Sequence, residues 1–193
     1  MRSFDSRLLL PLRGTCVRAA VLCLTAMAAP GLAADTPTIS GSQIKAAFLY
    51  NFTKFVAWPA ERFDGGRDSI VIGVMGDSLL AAELESIVED RKVNGRTILV
   101  REVHAEDELE SVHVLFVGAA EDARFAAVRP GIEGAAILTV GETPAFAGAG
   151  GVISFVSAGS KLRFEIDMIA AGRARLKISA QLQELATAVK QVR

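Results

Sequence analysis

Two changes in the spacing of hydrophobic residues divide the chain into three parts. Between residues 44 and 55, apolar side chains recur at intervals of three and four positions, the period of one face of an α-helix. From residue 69 to residue 140, short runs rich in valine and isoleucine alternate with segments of helical spacing. In the last third, two short apolar runs flank a turn that contains glycine. The pattern therefore predicts a helix, then alternating strands and helices, then a hairpin.

The first helix has a start signal and a stop signal in the sequence. Ser40 and Gln43 form a capping-box pair, in which each side chain can bond the other residue's backbone N–H. Pro59 restricts the residue before it and predicts that the helix ends there. The apolar stripe is wider than one core contact requires, so it fits a helix buried in its own domain, a dimer face or a partner groove. Its aromatic members are Phe48, Tyr50, Phe52, Phe55 and Trp58.

The middle of the chain predicts a layered α/β structure. Near-continuous apolar runs suit strands that are covered on both faces, and they occupy residues 70–75, 97–100, 112–117 and 136–140. Helical segments lie between them at residues 79–90, which Asp77 or Ser78 can cap, and at residues 121–128. Such alternation of strand and helix favours a largely parallel sheet.

The last third departs from this alternation. Runs at residues 152–156 and 162–166 around Gly159 predict an antiparallel hairpin, and helical spacing follows at residues 169–176 and 179–192. We therefore expect an α/β fold with a single-layer, mostly parallel sheet flanked by helices on both faces, a C-terminal hairpin and a closing helix.

Residues 1–34 have the order of a cleavable secretory signal. Four arginines precede an apolar run at residues 19–29, and small residues follow it before a predicted cleavage after Ala33 or Ala34. The run is well short of the ~20 apolar residues that span a bilayer. We therefore expect export from the cytoplasm, removal of residues 1–34 and a single domain over residues 35–193.

Removal of this segment changes the charge and the cysteine content. It holds four of the 21 basic and one of the 22 acidic residues, so the remainder has 17 basic and 21 acidic residues and a net charge of −4. A mildly acidic protein is a poor candidate for binding nucleic acid or anionic lipid, and no further apolar run predicts membrane insertion. Cys16 and Cys23 both lie in residues 1–34, so the remaining chain can form no disulfide.

The sequence contains none of the familiar catalytic signatures. His104 and His113 are the two histidines, and His113 lies inside an apolar strand, where a buried, hydrogen-bonded histidine is the better interpretation than a metal ligand. Nucleophile elbows, zinc-binding histidine pairs and phosphate-binding loops are missing. The glycines at residues 148–151 precede a strand and indicate a turn. We expect no catalytic residue, no metal and no cofactor.

Two groups of residues are candidates for binding. Gly76, Asp77 and Ser78 form a glycine turn before a predicted helix N-terminus, where a small polar or anionic ligand could bind. The second group contains alternating charges on one face of the hairpin, an aromatic residue in a glycine-rich segment and the residues that follow the hairpin. Its members are Phe146, Arg163, Glu165, Asp167, Ile169 and Arg173. For Phe146, a recognition anchor and a local core residue are both open.

The order of motifs along the chain resembles the YfiR family of periplasmic regulators. The first segment is an aromatic-rich helix closed by Trp58-Pro59, a family signature shortly after an export signal. The segments that carry the resemblance are residues 45–59, 72–77, 112–117, 150–153, 162–167 and 176–179, followed by Leu182, Leu185 and Ala186.

This resemblance implies a periplasmic α/β protein, often a homodimer, that represses a membrane-bound diguanylate cyclase by binding its periplasmic sensor region. It also implies that an OmpA-like outer-membrane lipoprotein can sequester the repressor. Two positions depart from the family. Val112 stands where some members have a disulfide-forming cysteine, and Asp167 stands where the family often has asparagine, which adds a negative charge to the expected docking face.

Two functions remain open at this point. In the first, the protein is a repressor without catalytic activity that binds a cyclase through the C-terminal group of residues. In the second, it is a periplasmic sensor that binds a small molecule at the carboxyl ends of the parallel strands and serves a different membrane receptor.

Overall fold

The computed structural model describes residues 40–64, 66 and 68–191. The predicted secretory signal and its cleavage after Ala33 or Ala34 lie outside the described residues. Within them, no helix is both long enough and apolar enough to cross a membrane.

The described chain forms six α-helices, ten strands and three 3-10 turns. The helices are α1 (Gly41–Phe55), α2 (Ser78–Val88), α3 (Asp122–Ile132), α4 (Pro144–Gly148), α5 (Met168–Arg173) and α6 (Ala180–Leu185). The strands are β1 (Val56–Ala57), β2 (Ser69–Met75), β3 (Lys92–Val93), β4 (Arg96–Glu102), β5 (Val114–Val117), β6 (Leu138–Gly141), β7 (Ile153–Ala158), β8 (Lys161–Asp167), β9 (Lys177–Ile178) and β10 (Ala188–Lys190). The 3-10 turns are Ala60–Phe63, Asp107–Ser111 and Ala119–Glu121.

Eight strands form one sheet in the order β10-β8-β7-β6-β5-β2-β4-β3. The pairs from β4 to β7 are parallel, as is the pair of β8 with β10, whereas β3–β4 and β7–β8 are antiparallel hairpins. The remaining strands, β1 and β9, form a separate antiparallel pair. The expected α/β fold with a mostly parallel sheet and a C-terminal hairpin is confirmed.

Helices cover both faces of the central part of the sheet. On the face that we call the α1 face, α1 and α2 bury Leu49, Phe52 and Leu80 against the even-numbered side chains of β2. On the opposite face, the α3 face, Phe125 and Phe146 pack with the odd-numbered apolar side chains of β2 and β5. Both faces of the central strands are therefore buried, as the apolar runs predict.

Helix α1 begins as predicted and ends earlier than predicted. The Ser40 side chain accepts from the backbone of Gln43, whose side chain accepts in return from the backbone of Ser40, each at 3.1 Å. The helix stops at Phe55 because the next two residues pair with β9, with Val56 opposite Ile178. Trp58 therefore lies beyond the helix.

Two further elements differ from the sequence-based expectation. The closing helix is present but short, because the chain after Leu185 turns back and Ala188–Lys190 pairs with β8 as a sheet strand. A β3–β4 hairpin, absent from the predicted elements, adds an edge to the sheet. Asn94 and Gly95 form its two-residue turn with positive φ angles of 52° and 79°, as a type I′ hairpin requires.

Candidate functional site

The C-terminal part of the sheet leaves one face without a covering helix. Helices α3 and α4 cover the centre of the α3 face, and the strands β7, β8 and β10 extend past them. We call this uncovered area the C-terminal sheet face. It consists of Ser154, Val156, Arg163, Glu165, Asp167, Ala188 and Lys190, which cross-strand pairing places side by side.

Arg163 and Glu165 are the free charges of this face. Both are exposed, and they project from the same side of β8 because they are two residues apart in a strand. Within the described part of the chain, no ion pair involves either side chain. These two charges are therefore available to a partner without the loss of an internal contact.

Asp167 has a structural role at the end of the same strand. Its Oδ1 accepts hydrogen bonds from the backbone N–H groups of Ile169 and Ala170, each at 2.9 Å, and caps α5. Its Oδ2 lies 2.9 Å from Nζ of Lys190. Partial burial raises the pKa of Asp167, but the backbone hydrogen bonds and the ammonium of Lys190 outweigh this effect and hold the pKa below its ordinary value. Lys190 therefore balances this charge within the protein.

Grooves border the C-terminal sheet face on the side of α4. One has a volume of about 590 Å³ and is lined by Pro144, Ala147, Ser154, Leu162 and Glu165, among others. A smaller one of about 130 Å³ lies between Ala147 and the β8–β10 pair and again includes Ser154 and Glu165. The face is therefore grooved as well as charged, and a grooved surface allows shape complementarity with a protein partner.

Phe146 lies inside the protein and is not a loop anchor. Its side chain has no exposed area, and its ring centroid lies 4.6 Å from that of Phe125. A Cβ on Gly141 or Gly151 would lie 2.3 Å or 2.0 Å from this ring, so both glycines are required by its position. The structure thus corrects the recognition-anchor interpretation: Phe146 attaches α4 to the core and does not reach a partner directly.

Ile169 and Arg173 lie on α5, immediately after the C-terminal sheet face along the chain. Ile169 is half-buried. Arg173 keeps 53% of its side chain exposed and lies 3.9 Å from Glu133, a contact too long and too solvated to hold it firmly. The predicted partner residues thus divide into Arg163, Glu165 and Arg173, which are accessible, and the others, which support the fold at least in part.

The predicted ligand turn at Gly76, Asp77 and Ser78 is occupied by the protein's own side chains. Asp77 caps α2 by accepting from the backbone of Leu80 at 3.0 Å. Ser78 donates to Glu102 at 2.7 Å. A Cβ on Gly76 would lie 2.5 Å from Cγ of Glu121, whose side chain covers the turn. A carboxylate already satisfies the helix N-terminus, so the turn is a poor site for an anion.

A groove that sequence reasoning did not identify lies at the opposite ends of the parallel strands. It has a volume of about 420 Å³, with Phe55, Trp58 and Phe63 among its apolar residues and Lys54, Arg96 and Lys177 as its cations. We call it the basic aromatic groove. Its residues come from five separate stretches of the chain, so no local motif marks it.

Stacked rings support the floor of this groove. The Arg96 guanidinium lies 3.8 Å from the centroid of Phe63, and Phe63 stacks on His113 at 5.0 Å. His113 is buried, and its Nδ1 accepts from the backbone N–H of Val71, as expected for a structural histidine. Trp58 donates from Nε1 to the carbonyl of His113 at 3.1 Å.

The remaining aromatic residues of the first helix pack within the domain. Phe48 and Phe52 form a cluster with Phe155 and Phe164 in which ring centroids lie 5.1–6.0 Å apart. Tyr50 is buried beneath Lys54 and Arg91. This placement favours the core interpretation of α1 over the dimer-face interpretation. Across residues 40–64, 66 and 68–191, no group of three or more histidine, cysteine or acidic side chains is arranged to hold a metal ion.

Comparisons with known proteins agree with this architecture. A family model described as YfiR/HmsC-like matches residues 42–187. The crystal structure of an ABC domain in complex with L-Trp from Streptococcus pneumonia is similar, with a TM-score of 0.51 and 12% identity over 77% of this chain and 60% of that chain. A conserved domain protein from Vibrio cholerae has a TM-score of 0.49 and 11% identity over 78% of this chain and 60% of that one. The chain spans about 60% of the length of these structures. At 12% identity, the similarity to the ABC domain shows a shared fold alone. No curated protein matches the chain.

Proposed function

The chain belongs to the YfiR/HmsC-like family, and on this premise we propose that it is a periplasmic repressor of an inner-membrane diguanylate cyclase. It binds the periplasmic sensor region of the cyclase and thereby lowers cyclic di-GMP synthesis. The leader at residues 1–34 supports export, and the family supports a regulatory role without catalysis.

The C-terminal sheet face is the observation that carries this proposal. It presents Arg163 and Glu165 as opposite charges that are exposed and unpaired by other described side chains, beside a groove with apolar walls. Rim charges of this kind steer a partner and fix its orientation, and an apolar groove supplies the buried contact. Arg173 on α5 is a further exposed cation that follows this face along the chain. An OmpA-like outer-membrane lipoprotein that sequesters the repressor would compete for this face.

Repression of this kind is stoichiometric. Binding that favours the inactive arrangement of the cyclase shifts a two-state equilibrium by the difference in affinity for the two states. No covalent step is required.

The first test compares intracellular cyclic di-GMP in the native host, a strain without this gene and the complemented strain. Deletion raises the level and the full-length gene restores it if the protein represses a cyclase. An unchanged level in the deletion strain, under conditions where the protein is expressed, contradicts the proposal.

The second test addresses the site. Arg163→Glu and Glu165→Arg reverse the two free charges, and each should raise cyclic di-GMP toward the deletion level while the thermal unfolding midpoint stays unchanged. Lys92→Glu and Glu184→Arg are matched controls, because these side chains are also exposed and lie on other elements. Full repression by both charge-reversed variants contradicts the site assignment and leaves the cyclase proposal itself intact.

A second candidate function rests on the basic aromatic groove. Three cations around an apolar, aromatic floor suit a small anion with a flat apolar body. In this alternative, the protein is a periplasmic small-molecule sensor for a different membrane receptor. A metabolite extract of the cell envelope should then raise the unfolding midpoint of the wild-type protein and raise it less in Lys177→Ala. An extract that shifts neither protein contradicts this alternative.

A further inference from the structure

One edge of the main sheet is open along most of its length. Strand β3 pairs with β4 only at Arg96 and Thr97, so residues 98–102 have no neighbouring strand on that side among the described residues. Residues 98–100 are isoleucine, leucine and valine, without the proline or the charged side chain that often protects an open edge. This edge can therefore accept a further strand.

The pairing of β4 with β2 determines which backbone groups of the edge face outward. The N–H of Val103 donates to the carbonyl of Val74 in β2 at 2.9 Å, so it faces inward. Because the direction of hydrogen bonding alternates along a strand, the N–H and C=O groups of Ile98, Val100 and Glu102 face outward. Three residues therefore offer six backbone groups to an added strand.

A groove of about 770 Å³ lies between this edge and α2. Its helix wall contains the small residues Ala82 and Ser86 and the longer Glu85 and Glu89, all exposed. Val100 lies on the same face of the sheet as α2 and contributes to the strand side of the groove. An added strand would therefore run along β4 and place every second side chain against α2.

The part of the groove that faces α2 is acidic. Glu85, Glu89 and Asp90 line it, and across the described part of the chain none of these three carboxylates is in an ion pair. Glu102 lies on the same side of β4 as Val100, because the two are two residues apart in a strand. A strand residue opposite Val100 or Glu102 is therefore favoured when it is positively charged.

The cations that line the groove are directed elsewhere. The guanidinium of Arg91 lies 5.2 Å from the ring centroid of Tyr50. Lys92 lies opposite Thr97 in the β3–β4 pair, so its side chain projects from the other face of the sheet. On that face the edge presents Leu99, whose side chain is 42% exposed. An added strand therefore meets carboxylates on one face and an apolar side chain on the other.

We propose that this groove binds an extended segment of a partner protein, antiparallel to β4, in which basic residues alternate with apolar ones. Its basic residues lie opposite Ile98, Val100 and Glu102 and reach the carboxylates, whereas its apolar residues cover Leu99. An antiparallel segment continues the line of β3, which already pairs antiparallel with β4. Main-chain hydrogen bonds give such an added strand its affinity, and alternate side chains give it specificity. This surface is separate from the C-terminal sheet face, since β4 and β8 lie in opposite halves of the sheet.

The first experiment titrates the protein with a synthetic heptapeptide with blocked ends, Val-Lys-Val-Lys-Val-Lys-Val. Two N-methylated forms of this peptide have the same charge and the same number of added methyl groups. Methylation of the three lysine nitrogens removes the N–H groups that face β4 and should weaken binding about tenfold or more. Methylation of three valine nitrogens alters groups that face away from β4 and should leave binding unchanged. Equal binding of the two methylated forms overturns the proposal, as does a parent peptide that does not bind.

Charge reversal on α2 tests the acidic wall of the groove. Glu85→Lys combined with Glu89→Lys should weaken binding of the parent peptide about tenfold or more. The unfolding midpoint should be maintained, because cations suit the C-terminal end of a helix. Glu106→Lys combined with Glu184→Lys is the matched control, since both side chains are exposed on other elements and the net charge changes equally. Equal binding by the two double variants overturns the proposal.

Hydrogen exchange locates the bound peptide without any variant. The amides of Ile98, Val100 and Glu102 should become more protected when the parent peptide is added, whereas the amides of β8 should not. Protection confined to other strands overturns the proposal. Protection of the same three amides that rises with protein concentration in the absence of peptide would mean that a second copy of this chain occupies the edge, and it also overturns the proposal.

Discussion

At the scale of single residues, Asp167 shows how one side chain can be mistaken for part of a binding surface. Its strand position places it beside Arg163 and Glu165 in sequence, yet its oxygens bond α5 and Lys190. Asparagine and aspartate are both strong N-caps, because each accepts from the backbone of the first turn. Capping thus explains why either residue suits this position.

This role predicts the effect of substitution at Asp167. Asp167→Ala should lower the free energy of unfolding by about 1 kcal/mol, the usual value of a lost N-cap, and Asp167→Asn should cost less because it keeps the cap. Urea unfolding of the three proteins at neutral pH measures the difference. Equal losses for alanine and asparagine would show that the ion pair with Lys190, and not the cap, is the important contact.

The lowered pKa of Asp167 adds a pH dependence to the same comparison. The native state favours the carboxylate, so the stabilisation is complete above the unfolded-state pKa of about 3.9 and is lost as the pH falls through the lower native pKa. The stability advantage of wild type over Asp167→Asn should therefore shrink on acidification below about pH 4. Unfolding midpoints of both proteins between neutral and strongly acidic pH measure it, and an advantage that grows on acidification would contradict the assigned direction.

Phe146 allows stability and binding to be separated. Phe146→Ala should lower the free energy of unfolding by about 3–5 kcal/mol, because it leaves a cavity between α4 and the sheet. Partner affinity per folded molecule should fall far less than in Arg163→Glu, since the ring is buried. Calorimetry and a binding assay corrected for the folded fraction test this. A normal unfolding midpoint with lost binding would restore the anchor interpretation.

At the scale of elements, local signals and non-local pairing explain which parts of the fold the sequence could predict. The capping box at Ser40 and the apolar runs of the central strands were sufficient to predict α1 and the parallel sheet. The predicted helix over residues 179–192 was too long because Ser179 and the spacing of Leu182 and Leu185 are helical, whereas the pairing of residues 188–190 with β8 is a distant contact that periodicity does not encode.

The β3–β4 hairpin was not predicted, although a local signal for it was present in the sequence. Asn94-Gly95 is a strong type I′ turn signal, but the flanking residues include a strand of only two residues. The C-terminal sheet face was recognisable from the alternating charges at Arg163 and Glu165. The basic aromatic groove was not, because its residues meet only after β1 pairs with β9.

The hairpin turn yields a test with an internal control. Gly95→Ala places a Cβ in open space at a φ of +79°, so its cost should come from the backbone alone, about 1–2 kcal/mol. Gly41→Ala also meets no neighbouring atom, and its φ is ordinary for a helix, so it should leave stability unchanged or raise it slightly. Denaturant unfolding compares the two. Equal effects of the two substitutions on the free energy of unfolding would mean that the hairpin turn does not stabilise the edge of the sheet.

At the scale of the whole molecule, folding of the chain does not depend on the compartment in which the protein is located. Residues 35–193 contain no cysteine, so the stability of the domain cannot depend on an oxidising compartment. Its core instead consists of side chains buried on both faces of the sheet. A version that lacks residues 1–34 should therefore fold in the reducing cytoplasm, with the same unfolding midpoint in the presence and absence of a thiol reductant.

Because the domain should fold in either compartment, a loss of repression without export can be attributed to location and not to misfolding. If the proposed function is correct, the version without residues 1–34 accumulates in folded form and leaves cyclic di-GMP at the level of the deletion strain, because the protein and the sensor region are on opposite sides of the membrane. The full-length gene restores repression in the same strain. Circular dichroism of the cytoplasmic protein and fractionation of both strains accompany the cyclic di-GMP measurement. Repression by a folded protein confined to the cytoplasm would place its partner inside the cell and contradict a periplasmic mechanism.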